Sequence, residues 1–134
     1  MLERSHIQST GFRNYGPAGA RLGFEVRIRQ PNYRGLRLSL IEGVDLTVDG
    51  ITYPAESSRI RIGGREYSLA EMAQATEARL PVGTFMTVMV PKPGGLEPGV
   101  HKVQSGVRLR PPYFPPRFRP AIARDEQFVT IVVA

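Results

Sequence analysis

The chain is 134 residues long, with 41% hydrophobic and 22% charged residues and a formal net charge of +6 at pH 7. That length supports one sizeable core and a single domain over 1–134. Cysteine is absent, which excludes a disulfide framework and a thiolate zinc site. The first residues, MLERSHIQSTGF, contain no apolar stretch of signal-peptide type, and no run approaches the roughly 20 apolar residues of a membrane helix. The expectation is a cytoplasmic protein.

In chain order, Phe24, Val26 and Ile28 alternate with Glu25, Arg27 and Arg29, the period of a half-buried strand. After a short loop, Leu36, Leu38 and Leu40 alternate with Arg37 and Ser39 as a second strand. Val44, Leu46 and Val48 form a third, closed by Asp49-Gly50, a strong hairpin signal because a type I′ turn needs positive φ at both central residues. Ile60 and Ile62 lead into a second such turn at Gly63-Gly64, with Glu66-Tyr67 returning.

Ser68-Leu69-Ala70-Glu71 reads as a capping box opening one short helix over 69–75. Residues 84–90 are strand-like, 91–99 are a Pro- and Gly-rich loop and turn, and Val103, Val107 and Leu109 face one side of the next strand. Residues 128–133 form the closing strand. The stretch 110–124 holds Pro111, Pro112, Pro115, Pro116 and Pro120 and is expected to be an extended surface loop. About seven or eight short strands with one short helix predict an all-β fold, an antiparallel β-sandwich, with a small barrel as the alternative.

The positive charge invites a nucleic-acid reading, but the basic residues are spread along the sequence, with Lys92 and Lys102 the only lysines. Pairs such as Arg27 and Arg29, Arg59 and Arg61, and Arg108 and Arg110 alternate with apolar residues, as outward strand faces do. The reading is solvated strand faces plus a protein-partner surface, with no nucleic acid and no membrane.

Catalytic signals are scarce. His6 falls in an N-terminal segment expected to fray, and His101 stands at a strand start where an exposed histidine is the ordinary case. No H-x-H, H-E-x-x-H or clustered carboxylates suggest a metal site, the glycine pairs lack a phosphate loop's Lys-Ser/Thr ending, and there is no G-x-S-x-G elbow. No catalytic residue, metal ligand or cofactor is therefore assigned to this chain.

Two stretches carry more chemistry than turns require. Asn32, Tyr33 and Arg34, braced by Pro31 and Gly35, form a candidate substrate or active-site rim. Tyr113, Phe114 and Phe118, set among prolines and arginines, join Pro31 and Gly35 as candidate partner-interface residues. Aromatics and arginine dominate interface hot spots, and prolines lower the ordering cost of docking. The alternatives are a decorated turn for 31–35, and for 113–118 an aromatic plug on its own sheet or a polyproline II ligand.

The stretches GFRN (11–14), GFEVRIRQPNYRGLRLSLIEGVDLTVDG (23–50), YSLAEM (67–72) and VPKPGGLEPGVHKV (90–103) resemble the β subunit family of bacterial C-glycoside deglycosidases. The similarity runs from about Gly11 to Arg110; the Pro-rich segment 111–124 is the most individual part. The resemblance implies a β-sandwich bound to a TIM-barrel α subunit holding the catalytic histidine and a divalent metal, commonly Mn²⁺. It implies a substrate already oxidised at sugar C3, a 3-oxo-C-glycoside, cleaved between the anomeric carbon and the aglycone by β-elimination. The ketone acidifies the C2 proton, a metal stabilises the enolate and a base removes the proton. This chain would be an accessory lyase subunit, inactive alone, that closes and shapes the partner's site with Arg34, Tyr33 and Asn32 at the rim. A stand-alone carbohydrate- or protein-binding sandwich is the alternative.

Overall fold

A computed structural model describes residues 6–31, 36–75, 78–81, 83–110 and 121–133. The strands are β1 (Arg13–Tyr15), β2 (Gly23–Arg29), β3 (Leu36–Arg37), β4 (Ile41–Val48), β5 (Ile51–Tyr53), β6 (Arg59–Ile62), β7 (Arg65–Tyr67), β8 (Arg79–Leu80), β9 (Phe85–Pro91), β10 (Gly99–Leu109) and β11 (Ala121–Ile131). One α-helix, α1 (Leu69–Gln74), and two single-turn 3₁₀ helices at Leu38–Leu40 and Ala55–Ser57 complete the described elements. A five-stranded sheet, ordered β1-β2-β9-β6-β7, faces a four-stranded sheet, ordered β11-β10-β4-β5, and β3 pairs with β8 in a small ribbon. Every named pairing is antiparallel. The fold is the expected all-β sandwich.

The period-two pattern decides which side of each strand is buried. Phe24, Val26 and Ile28 of β2, Met86, Val88 and Val90 of β9, and Ile60 of β6 point inward from one sheet. Val44, Leu46 and Val48 of β4 and Val103, Val107 and Leu109 of β10 meet them from the other. Fully burying a side chain of this size contributes about 1.5–3 kcal/mol, so the alternation fixes the register of each strand. Phe24 also meets Phe12 and Tyr53 edge-on, at centroid distances of 6.5 and 5.1 Å.

The turns follow their residues. Asp49 and Gly50 have φ of 51° and 85°, and Gly63 and Gly64 have 58° and 82°, the signs type I′ hairpins demand. Ser68 accepts from the Glu71 main-chain N–H at 3.1 Å while the Glu71 carboxylate accepts from the Ser68 N–H at 2.9 Å, so the capping box is complete.

Three expectations are corrected. The second strand, read through Leu36, Leu38 and Leu40, is only the two residues of β3 before the chain turns 3₁₀. Here the backbone crosses from one sheet to the other, and a continuous strand cannot make that crossing. The closing strand begins at Ala121 instead of 128, so residues 121–124 belong to a ladder with β10 and not to the Pro-rich loop. Pairing with an eleven-residue neighbour overrides the weak strand pattern of AIARDEQ. Glu25 does stand on the outer side of β2, yet it is buried.

Candidate functional site at the loop-bearing end of the sandwich

The end of β2 and the two residues of β3 flank the first chemistry-rich loop. Gln30 is buried; its main-chain N–H donates to the Thr84 carbonyl at 2.8 Å and its side-chain amide to the Leu80 carbonyl at 3.4 Å. Pro31 is buried directly after it. The chain re-enters at β3, where Leu36 lies opposite Leu80 and Arg37 opposite Arg79. The Leu38 N–H then donates to the Ala78 carbonyl at 2.9 Å.

The second loop leaves from the same place. Leu109, the last residue of β10, is paired with Ile41 of β4 and Ala121 of β11. The next residue, Arg110, donates its N–H to the Leu40 carbonyl at 2.8 Å and its Nε to Glu42 at 2.6 Å. Leu36 and Leu40, four positions apart, thus tie together the described residues that flank 32–35 and 111–120, and those flanking residues lie at one end of the sandwich. Asn32, Tyr33, Arg34 and Gly35, and likewise Tyr113, Phe114 and Phe118, lie outside the described residues; of the site residues named from the sequence, Pro31 alone is described. Arg37, Arg79 and Arg110 are exposed around this end.

Neither histidine has the surface position expected of it. His6 is fully buried: its Nε2 shares a 2.5 Å hydrogen bond with the Ser105 hydroxyl, and the Asp125 carboxylate accepts the main-chain N–H groups of His6 and Ile7 at 2.9 Å each. Far from fraying, this segment bridges the sheets, with Ile7 opposite Ile28 of one and Asp125 from β11 of the other. Serine, histidine and aspartate meet here, but the half-buried Asp125 accepts from the His6 backbone and not from its imidazole, so the three do not line up as a catalytic relay.

His101 is also buried. Its Nδ1 faces Asp49 Oδ2 at 2.5 Å and its Nε2 faces the Glu97 carbonyl at 2.6 Å. Burial depresses the imidazole pKa, but the Glu97 and Asp49 acceptors outweigh it and the pKa is raised. The His101 hydrogen bond, followed by that from the Lys102 N–H, lowers the Asp49 pKa. An acceptor at each nitrogen fits the imidazolium, which donates twice.

The loop after β9 is fastened a second time by Asn14. Its amide N–H donates to the Leu96 carbonyl at 2.9 Å while its oxygen accepts the Leu96 N–H at 2.8 Å. Gly95, at φ 68°, has no space for a side chain, since a Cβ there would lie 2.5 Å from Asn14 Oδ1. The stretches GFRN and PKPGGLEPGVH, distant in sequence, are therefore one interlocked unit at the end opposite the two loops.

On the outer side of the five-stranded sheet, Glu25 bonds Arg13 Nε at 2.6 Å and Arg61 at 3.3 and 3.4 Å. Its side chain is 2% exposed beneath guanidinium-bearing side chains that are 67% and 31% exposed. Beside it, burial and then the Glu25 and Glu66 charges raise the Tyr15 phenol pKa. A shallow cavity of about 510 Å³ opens here, bordered by Tyr15, Arg21 and Val132. Sequence reasoning missed this pair because Arg13 and Arg61 flank Glu25 only through strand register. Among the described residues no three His, Asp or Glu side chains converge as metal ligands. No helix among them is long and apolar enough to cross a membrane.

The family model described as "C-glycoside deglycosidase beta subunit" matches residues 2–113. The C-glycoside deglycosidase beta subunit of Eubacterium cellulosolvens is 31% identical over 127 residues, covering 94% of this chain and 86% of that protein. The 3'-dehydrocarminate deglycosidase beta subunit of a Microbacterium species is 38% identical over 108 residues, covering 78% of this chain and 80% of the relative. A C-glycoside deglycosidase beta subunit from Arthrobacter globiformis is 36% identical over 69 residues, 52% of each chain. With the interlocked GFRN and PKPGGLEPGVH stretches inside the matched region, the chain belongs to the C-glycoside deglycosidase beta subunit family.

Proposed function

We propose that this chain is the accessory subunit of a metal-dependent, cytoplasmic lyase that cleaves 3-oxo-C-glycosides, and that its loop-bearing end closes the active site of a TIM-barrel α subunit. Family membership across residues 2–113 carries the reading. The origin of both chemistry-rich loops at one end of the sandwich supports it, because one surface can then meet the partner with two segments. The name of the Microbacterium relative, a 3'-dehydrocarminate deglycosidase beta subunit, supports a sugar oxidised at C3.

The reaction balances without a redox partner. A base takes the proton from C2, which the neighbouring ketone acidifies; the C1–aglycone bond breaks as the C1–C2 double bond forms; and the aglycone carbon takes up a proton. The products are the free aglycone and an unsaturated keto-sugar. The base and the divalent metal, Mn²⁺ in this reading, belong to the α subunit. This chain excludes water and orients the aglycone, with Arg34 ordering the cleft beside Tyr33 and Asn32.

The test is Arg34→Ala in the co-purified complex with a 3-oxo-C-glycoside. Expected is an intact assembly whose kcat/KM falls by about tenfold or more, the scale of a lost positioning contact. Unchanged turnover in an intact complex removes Arg34 from the rim.

A further inference from the structure

The arginines that are scattered in sequence are not scattered in space. Strand register sets the outward side chains of the five-stranded sheet in rows: Arg13, Glu25, Met89 and Arg59 across one, Arg27, Thr87, Arg61 and Glu66 across the next, and Arg29 opposite Phe85 in a third. Five arginines from three strands thus share a face with two carboxylates. The face runs toward the loop-bearing end, where Arg37 lies directly opposite Arg79. Like charges paired across a ladder destabilise an isolated sheet.

The lattice is also held in place. Glu25 is buried under Arg13 and Arg61, Arg61 Nη1 touches Met89 Sδ at 3.7 Å, and the Arg27 guanidinium sits 5.5 Å above the Phe85 ring. Arg27 further packs where Gly11 lacks a side chain, since a Cβ there would lie 3.0 Å from its Nε. Pre-ordered guanidinium groups lose little entropy on docking.

Resting on the β-subunit reading above, we infer that this outer face is the docking surface for an acidic surface of the α subunit. Arginine, aromatic residues and methionine are enriched at protein interfaces and lysine is depleted, and none of the outward residues in these rows is lysine. A protein suits the face better than a nucleic acid does. Tyr15, Phe85 and Met89 on the same face give a protein partner apolar contact that a phosphate backbone leaves unused.

The experiment measures the affinity of the purified chain for the purified α subunit at low and high salt. The pair Arg27→Glu with Arg59→Glu is expected to weaken Kd by about tenfold or more and to flatten its salt dependence, and the neutral pair Arg27→Gln with Arg59→Gln to weaken it by about threefold. Arg124→Glu, on the outer side of the other sheet, is expected to leave Kd within about twofold. If the reversed pair fails to fold by circular dichroism, the neutral pair decides. Wild-type Kd in the folded variants overturns the docking face and leaves the β-subunit reading standing. Failure of the wild-type chain to bind the α subunit at either salt sinks that reading, and this inference with it. Tight binding of a labelled DNA duplex that the same variants abolish, with Kd for the α subunit unchanged, overturns the inference in favour of a nucleic acid.

Discussion

Two acceptors at one imidazole favour its protonated form, and His101 has Asp49 at one nitrogen and the Glu97 carbonyl at the other. Its pKa is raised from 6.5, so its stabilisation is complete below that value and is lost as pH rises through the higher folded value. Asp49 is lowered from 3.8, so its share is present above that value and is lost as pH falls through the lower folded one. Resistance to denaturant is therefore expected to peak between about pH 4 and 6.5 and to decline on the alkaline side. Asp49→Asn keeps a residue that tolerates the φ of 51° at this turn and removes the charge. Urea titrations across pH should show the alkaline decline reduced in this variant; an undiminished decline would place its origin elsewhere. His101 gave no sign of this in sequence, because Asp49 is 52 positions away and the pair forms only through the β4–β10 ladder.

The loop between β9 and β10 is rich in glycine and proline, a composition that suggests mobility, yet it is held by two side chains. Asn14 supplies the donor and acceptor that a neighbouring strand would otherwise offer Leu96, and His101 takes the Glu97 carbonyl. Asn14→Ala leaves the buried Leu96 N–H and carbonyl without these partners, at an expected cost of about 2 kcal/mol in chemical unfolding. Amide exchange at Leu96 should rise in the same variant, and wild-type protection there would show that the loop holds itself. Other elements were more legible: the helix announced itself through Ser68 and Glu71, and the hairpins through Asp49-Gly50 and Gly63-Gly64, because those signals act within four residues. The segment after Gly35 was misread because a Leu-x-Leu-x-Leu alternation fits a strand as well as a two-residue bridge followed by a 3₁₀ turn.

At the scale of the whole molecule, the sandwich separates two tasks. One end is consolidated by the Asn14 and His101 locks; the other holds the residues flanking 32–35 and 111–120, tied together through Leu36–Leu40 and Arg110. The outer face of the five-stranded sheet, crowded with arginine, joins that second end. The isolated chain is expected to fold cooperatively and to leave a 3-oxo-C-glycoside intact, with turnover appearing only when the α subunit is added. Chromatography of the reaction with each subunit alone and with both checks this. Release of aglycone by this chain alone would remove its accessory role.

The sequence determined by itself whatever local rules govern: the inward side of each long strand, the two type I′ hairpins, the capped helix, and the motif stretches that placed the chain in its family. Burial of His6, His101 and Glu25, the locking of Leu96 by Asn14, the common origin of the two loops and the gathering of arginines onto one face were decided by tertiary structure alone. Each joins residues distant in sequence through sheet register. A period of two says that a side chain lies on one side of a strand; only the pairing of strands says which side chains lie beside it.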